Sequence, residues 1–276
     1  MKLRNTILAL VLAGATSAVN ASEIDFKGSQ YGGFDVTFDL IDFLPETANV
    51  TQTDDTSGDL SGNDGFQESG LTSVVSLTLN NVGVPYYNTS FDSTPGFESD
   101  MVLFFDYNIQ GMATNTGAET VVNFTNVVNA ELYLYWDADA DNTTGTSGRE
   151  TRVSLANFML NQGSCNIESS IDAGTGNVSV NSQNSSCGLN LAGNFAAGNF
   201  YSAWGQDLST LVSPVTVDYT ATVQKFNGLN YNYNGAATQD FTITHDANMS
   251  INVPEPTSIA ILGLGLLGLA GTRRRS

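Results

Sequence analysis

VTVDYTATVQKF, residues 215–226, decides the fold of this chain. Val215, Val217, Tyr219, Ala221 and Val223 fall on one side of an extended backbone, and Thr216, Asp218, Thr220, Thr222 and Gln224 on the other. A period of two is that of a β-strand, and a polar face opposite an apolar one marks an antiparallel sheet covered on one side only. Residues 241–253, FTITHDANMSINV, repeat the pattern, with Phe241, Ile243, Met249, Ile251 and Val253 against Thr242, Thr244, Asp246, Ser250 and Asn252. So does FDVTFDL, residues 34–40, where Phe34, Val36, Phe38 and Leu40 alternate with Asp35, Thr37 and Asp39.

Working outward, further strands are expected at residues 74–79, 101–109, 120–124, 130–136, 152–160 and 177–180, separated by clusters of Gly, Asn, Asp and Ser. No long stretch carries the helical period, and residues 189–203 are the one candidate for a helical turn. Many strands joined by turn-rich segments predict an all-β fold: a single antiparallel β-sandwich or jelly-roll-like domain over residues 22–252. The acidic, glycine-rich TDDTSGDLSGNDGFQESG, residues 53–70, is expected to be a long loop, either flexible or wrapped around a cation. There is no internal repeat.

The composition narrows the partners. The 276 residues carry a formal net charge of −19, which disfavours nucleic acid. Of nine basic residues, Lys2, Arg4, Arg273, Arg274 and Arg275 sit at the two ends, leaving Lys27, Arg149, Arg152 and Lys225 for everything between. The body should therefore repel anionic polymers unless divalent cations bridge them.

Both ends are apolar, and both read as address labels. Residues 1–21, MKLRNTILALVLAGATSAVNA, combine a basic start, an apolar centre and a small-residue exit, the pattern of a secretory signal peptide cut after Ala21. Export places the only two cysteines in an oxidising compartment, so Cys165 and Cys187 are expected to form one disulfide. At the other end, residues 253–276 read VPEPTSIAILGLGLLGLAGTRRRS. Residues 257–272 are uncharged and, as a helix, would span about 24 Å, short of the roughly 30 Å of a bilayer core. The GLGLLG within them matches a dinucleotide-binding fingerprint only formally, because no strand precedes it and no βαβ unit follows. Arg273, Arg274 and Arg275 would hold the tail on the cytoplasmic side. Pro254 and Pro256 keep the segment around Glu255 extended.

The order Pro254-Glu255-Pro256, short apolar helix, Arg273 to Arg275 resembles the PEP-CTERM sorting signal of Gram-negative bacteria. The resemblance covers residues 253–276 alone. It implies processing by an exosortase, an integral-membrane cysteine transpeptidase-like enzyme that removes the tail, and transient anchoring in the inner membrane. It also implies delivery of the body to the cell surface or to an exopolysaccharide matrix or biofilm. A C-terminal anchor that is never cut is the alternative.

Candidate chemistry within the body is sparse. His245, the only histidine, falls in the apolar phase of its strand and reads as a packed, hydrogen-bonded residue. One histidine is too few for a His-based zinc site, and no G-x-S-x-G elbow supports a Ser-His-Asp triad. Glu98, Asp100 and Glu131 are carboxylates near strands, but the E-x-D-x-x-E pattern of one jelly-roll hydrolase family is broken at Leu103. No catalytic residue is assigned. The best ligand candidate is WDADADNTTGTSGRE, where Asp137, Asp139 and Asp141 alternate and can converge on a hard cation such as calcium. Asn142 and Gly148 depart from the EF-hand pattern, which is rejected. Tyrosines such as those of FNGLNYNYNG, residues 226–235, offer rings to a sugar if that segment is an exposed hairpin loop, or pack as an ordinary turn. The expectation is a non-enzymatic surface or matrix protein that binds extracellular polysaccharide with calcium assistance; the alternative is a secreted polysaccharide hydrolase on the same scaffold.

Overall fold

The computed structural model describes residues 22–31, 34–55, 63–84, 101–115, 119–136, 151–211, 215–231 and 238–254. Among these, the chain forms strands β1 (Ile24–Lys27), β2 (Asp35–Phe38), β3 (Leu40–Phe43), β4 (Glu46–Thr53), β5 (Asp64–Leu79), β6 (Val82–Val84) and β7 (Met101–Asn115). They continue with β8 (Glu119–Trp136), β9 (Thr151–Ile171), β10 (Val178–Val180), β11 (Ser186–Phe195), β12 (Phe200–Ser202), β13 (Val215–Asn227) and β14 (Thr238–Asn252).

The strand order is sequential. β5, β7, β8, β9, β11, β13 and β14 each pair with the next, and every pairing is antiparallel. β3 and β4 share the remaining position, with β4 bridging β14 to β5 at one end and β3 at the other. The sheet therefore closes into a ring, and neighbours in space are neighbours in sequence rather than in Greek-key order. The ring is collapsed. Phe105 on β7 and Tyr219 on β13, from opposite walls, have ring centroids 5.5 Å apart. Phe43 on β3 touches both, at 5.5 and 6.1 Å. Two packed layers result, the expected antiparallel sandwich, with hydrogen bonds running around both edges.

A second, three-stranded sheet of β12, β1 and β2 packs its phenylalanines against this core. Phe26 stacks on Phe200 at 5.1 Å, Phe200 meets Phe195 at 5.5 Å, and Phe195 meets Phe158 at 6.1 Å. Ring-to-ring contacts of this kind add to the area they bury, and they tie the small sheet to the large one through β9 and β11.

Several segments differ from expectation. Residues 64–70, expected in a loop, belong to β5, because Asp64, Phe66 and Glu68 alternate inward and are buried. Residues 189–203 hold no helical turn. Residues up to Gly193 pair with both β9 and β13, the pairing with β9 runs on to Phe195, and β12 follows at Phe200. The segments 120–124 and 130–136 are one strand, β8, and 152–160 extends to Ile171 as β9. Residues 226–231 are not an exposed loop: Phe226 and Leu229 are buried, and Asn230 pairs with Asn177. Between β5 and β6 the chain turns through Asn80 and Asn81, with φ of 53° and 63°, the left-handed pair that a two-residue hairpin needs and asparagine tolerates.

Candidate functional site

Period-two alternation carries a few ionisable side chains into the core along with the apolar ones. Glu46 begins β4 in phase with Ala48 and Val50, Glu68 shares a face of β5 with Phe66, and His245 shares a face of β14 with Ile243. Tyr107 on β7 completes the group. The Tyr107 hydroxyl donates to Glu68 Oε1 at 2.9 Å and lies 2.7 Å from His245 Nε2. His245 Nε2 is 3.0 Å from Glu68 Oε1 and 3.6 Å from Glu46 Oε1. Oxygens surround Nε2, so this nitrogen carries a proton. Both oxygens of Glu46, the Nδ1 of His245 and the hydroxyl of Tyr219 have no hydrogen-bond partner.

Gly70 makes the arrangement possible. A Cβ there would lie 2.5 Å from the Tyr107 hydroxyl and 2.8 Å from Glu46 Oε1, so only glycine admits this approach.

Burial raises the pKa of Glu46, with the charges of Glu68 and Asp106 adding to it and Tyr107 and His245 opposing it. For His245, burial alone acts downward. The hydrogen bond and charge of Glu68, with the charges of Glu46 and Asp246, outweigh it and hold the imidazole above its usual value. Burial, reinforced by Glu68, pushes Tyr107 well above the ordinary tyrosine range. The cluster is thus built to keep protons. Beside it lies a cavity of about 20 Å³, bounded by Phe105, Tyr219, Cys165 and Cys187, which has room for about one water.

The outer face is different. A shallow groove of about 420 Å³ crosses β9, β11, β13 and β14, with Ser164, Asn166, Ser186, Thr220 and Asn248 on its walls. A second, of about 660 Å³, continues it past Gln162 on β9 and Asn190 on β11 to Asn123 on β8. The two share Ser164, Gly188 and Thr220, so they form one trough, and at Gly188 a Cβ would meet nothing within 4 Å. Hydroxyls and amides line it, with the carboxylates of Asp218 and Asp246.

Cys165 and Cys187, expected as a pair, face each other across β9 and β11 and are bonded. His245 is packed and hydrogen-bonded, as its phase implied. Glu131 pairs with Arg152, whose guanidinium lies 3.8 Å over the Tyr133 ring. Asp137, Asp139, Asp141, Glu98 and Asp100 lie outside the described residues, as do Glu255, Pro256, Arg273, Arg274 and Arg275 and the N-terminal residues 1–21. Pro254 is exposed directly after buried Val253. Within residues 53–70, Asp54, Asp55 and Asp64 bring one carboxylate oxygen each within 4.8 Å of the others. Asp64 also accepts hydrogen bonds from Gln52 and from the Asp55 amide.

Sequence reading missed Glu46, Glu68 and Tyr107 as partners of His245. Their inward phase was the available signal, and a carboxylate in that phase reads more naturally as the end of a strand.

Among the described residues, no helix is long and apolar enough to cross a membrane. No curated protein and no solved structure matches the chain. The model of the PEP-CTERM protein-sorting motif matches residues 252–275. That motif marks an exported protein addressed to an exosortase, and it begins where the last strand of the folded body ends.

Proposed function

We propose that this is a non-enzymatic protein of the cell surface or extracellular matrix, released from its membrane tail by an exosortase and retained by extracellular polysaccharide. The observation that carries the reading is the sorting motif joined directly to a closed all-β body. Two further features support it. Among the described residues, the groups best suited to acid–base chemistry lie inside that body, beside a cavity of about 20 Å³ that is too small for a sugar. The outer trough offers hydroxyl and amide groups of the kind that exchange hydrogen bonds with a polyol. Calcium assists when held by the carboxylates of Asp137, Asp139 and Asp141, its charge countering the repulsion between an acidic body and acidic glycans.

Incubating the purified protein with the exopolysaccharide of its host tests this. Retention without new reducing ends, weakened by Thr220→Leu, which removes a trough hydroxyl without changing charge, is the expected result. New reducing ends would instead favour a polysaccharide hydrolase. Mass spectrometry of the mature protein should find no peptides before Ala21 or from the tail. Melting with and without millimolar calcium tests the metal: a rise in Tm that Asp139→Ala abolishes is expected, and no rise removes calcium from the reading.

A further inference from the structure

The two ends of the body meet. The amide of Ser22 donates to the Ile251 carbonyl at 3.1 Å, and the Val253 amide donates to Ser22 Oγ at 3.1 Å. Ser22 Oγ also lies 3.4 Å from the Val253 carbonyl as a donor. β3 stops pairing with β14 at Ser250, so from Ile251 onward that side of β14 is held by Ser22 instead. On the other side, Ile251 and Asn252 pair with Val217 and Thr216, and Asn252 donates to Asp218 at 2.8 Å. Val253 is buried, and Pro254 is the first exposed residue after it. Ser22 is also the residue that becomes the N-terminus if the signal peptide is removed after Ala21.

We propose that Ser22 is a positioning residue for C-terminal processing. It clasps the end of β14, so that the chain leaves the folded body at Pro254 with no slack before the sorting tripeptide. This rests on the export-and-processing reading. Three geometric consequences follow. Ser22 and Val253, the first and last residues held by these contacts, touch, so the signal peptide and the tail are joined to the body at neighbouring points until the first is cut. Only residues 254–256 then separate the body from the uncharged run, so that Thr257 stands at most about 13 Å of extended chain from Val253. A membrane-embedded processing enzyme that needs more extended substrate than this must wait for the clasp to open, which frees residues 251–253. Signal removal also turns the Ser22 amide into an ammonium donor, and a charged donor holds the Ile251 carbonyl more strongly.

The full chain is expressed in a host that carries the processing enzyme, and loss of the C-terminal tail is followed over time. Amide hydrogen exchange at Val253 is measured on the purified protein. Ser22→Ala removes both contacts made through Oγ and should raise exchange at Val253 about tenfold. It should also speed tail removal at least twofold, whereas Ser22→Thr, which keeps the hydroxyl, should restore both. A four-residue Gly-Ser insertion between Val253 and Pro254 supplies slack by itself and should make tail removal fast and indifferent to Ser22→Ala. Unchanged exchange in Ser22→Ala, or unchanged tail removal while wild type is processed, overturns the clasp. If wild type keeps its tail, the processing reading fails, and with it the processing role of Ser22.

Discussion

Glu46 and Glu68 face the same histidine from neighbouring strands, yet their isosteric replacements should move stability in opposite directions. Where both glutamates are ionised, the cluster holds two carboxylates against at most one imidazolium and keeps an uncompensated negative charge in a buried site. Glu68 accepts from Tyr107 and His245, whereas neither oxygen of Glu46 has a hydrogen-bond partner. Glu46→Gln preserves shape and removes the surplus charge. Relieving an unsatisfied buried group of this kind is expected to stabilise the fold by about 1–3 kcal/mol near pH 8, or about 2–4 °C in Tm per kcal/mol for a body of this size. The gain should fade near pH 4, where the Glu46 carboxyl is protonated in the wild type as well. Glu68→Gln instead strips the histidine of its hydrogen-bonded counter-ion and should cost about 3–5 kcal/mol. Urea unfolding of both variants at the two pH values measures this. If Glu46→Gln is neutral or destabilising near pH 8, or its gain is independent of pH, the charge count inside the core is wrong.

Other expectations follow from the same structure. Glu46 and His245 both bind protons more tightly folded than unfolded, so the stability they contribute is present at low pH and is lost as pH rises through their raised folded values. Tm should therefore decline above neutrality, and His245→Gln should flatten that limb. On the acid side, Asp35, held low by Ser29, and Asp172, held low by Thr175, act with the opposite sign, and their contribution is lost as pH falls. Gly70→Ala should lose about 1–3 kcal/mol because its Cβ meets Tyr107 and Glu46. Gly65→Ala on the same strand, whose nearest neighbour is 3.6 Å away, should be nearly neutral in the same melts. Replacing Cys165 and Cys187 by alanine should cost about 3 kcal/mol by the loop-entropy estimate for 22 residues of separation, read as a fall in the urea midpoint.

The alternation of Val215, Val217, Tyr219, Ala221 and Val223 with polar residues was enough to predict a half-covered antiparallel sheet, because burial on one face writes itself into every second position. Ring closure was not legible. It depends on which strands pair, and the contact of β8 with β9 at both of their ends leaves no mark in either segment alone. Asp64 and Glu68 misled for a physical reason: an inward acid is tolerated only when a partner elsewhere in the chain, Gln52 or His245, meets it. The disulfide could be expected from cysteine count and export. The contact of Ser22 with Val253, separated by 231 positions, belongs to tertiary structure alone.

Because the large sheet returns on itself, its long strands, among the described residues, leave backbone unpaired mainly in the short gap where β8 and β9 part between the Asn123–Ser164 and Glu131–Asn157 pairs, closed off by paired backbone at both ends. The free borders belong to short pieces such as β6, β10 and β12, each of three residues. Copies crowded together outside a cell therefore have little template for fibril growth or strand exchange. Any cohesion among them must come through side chains, sugars or bridging ions, all of which detergent, glycan-degrading enzymes or chelators can undo.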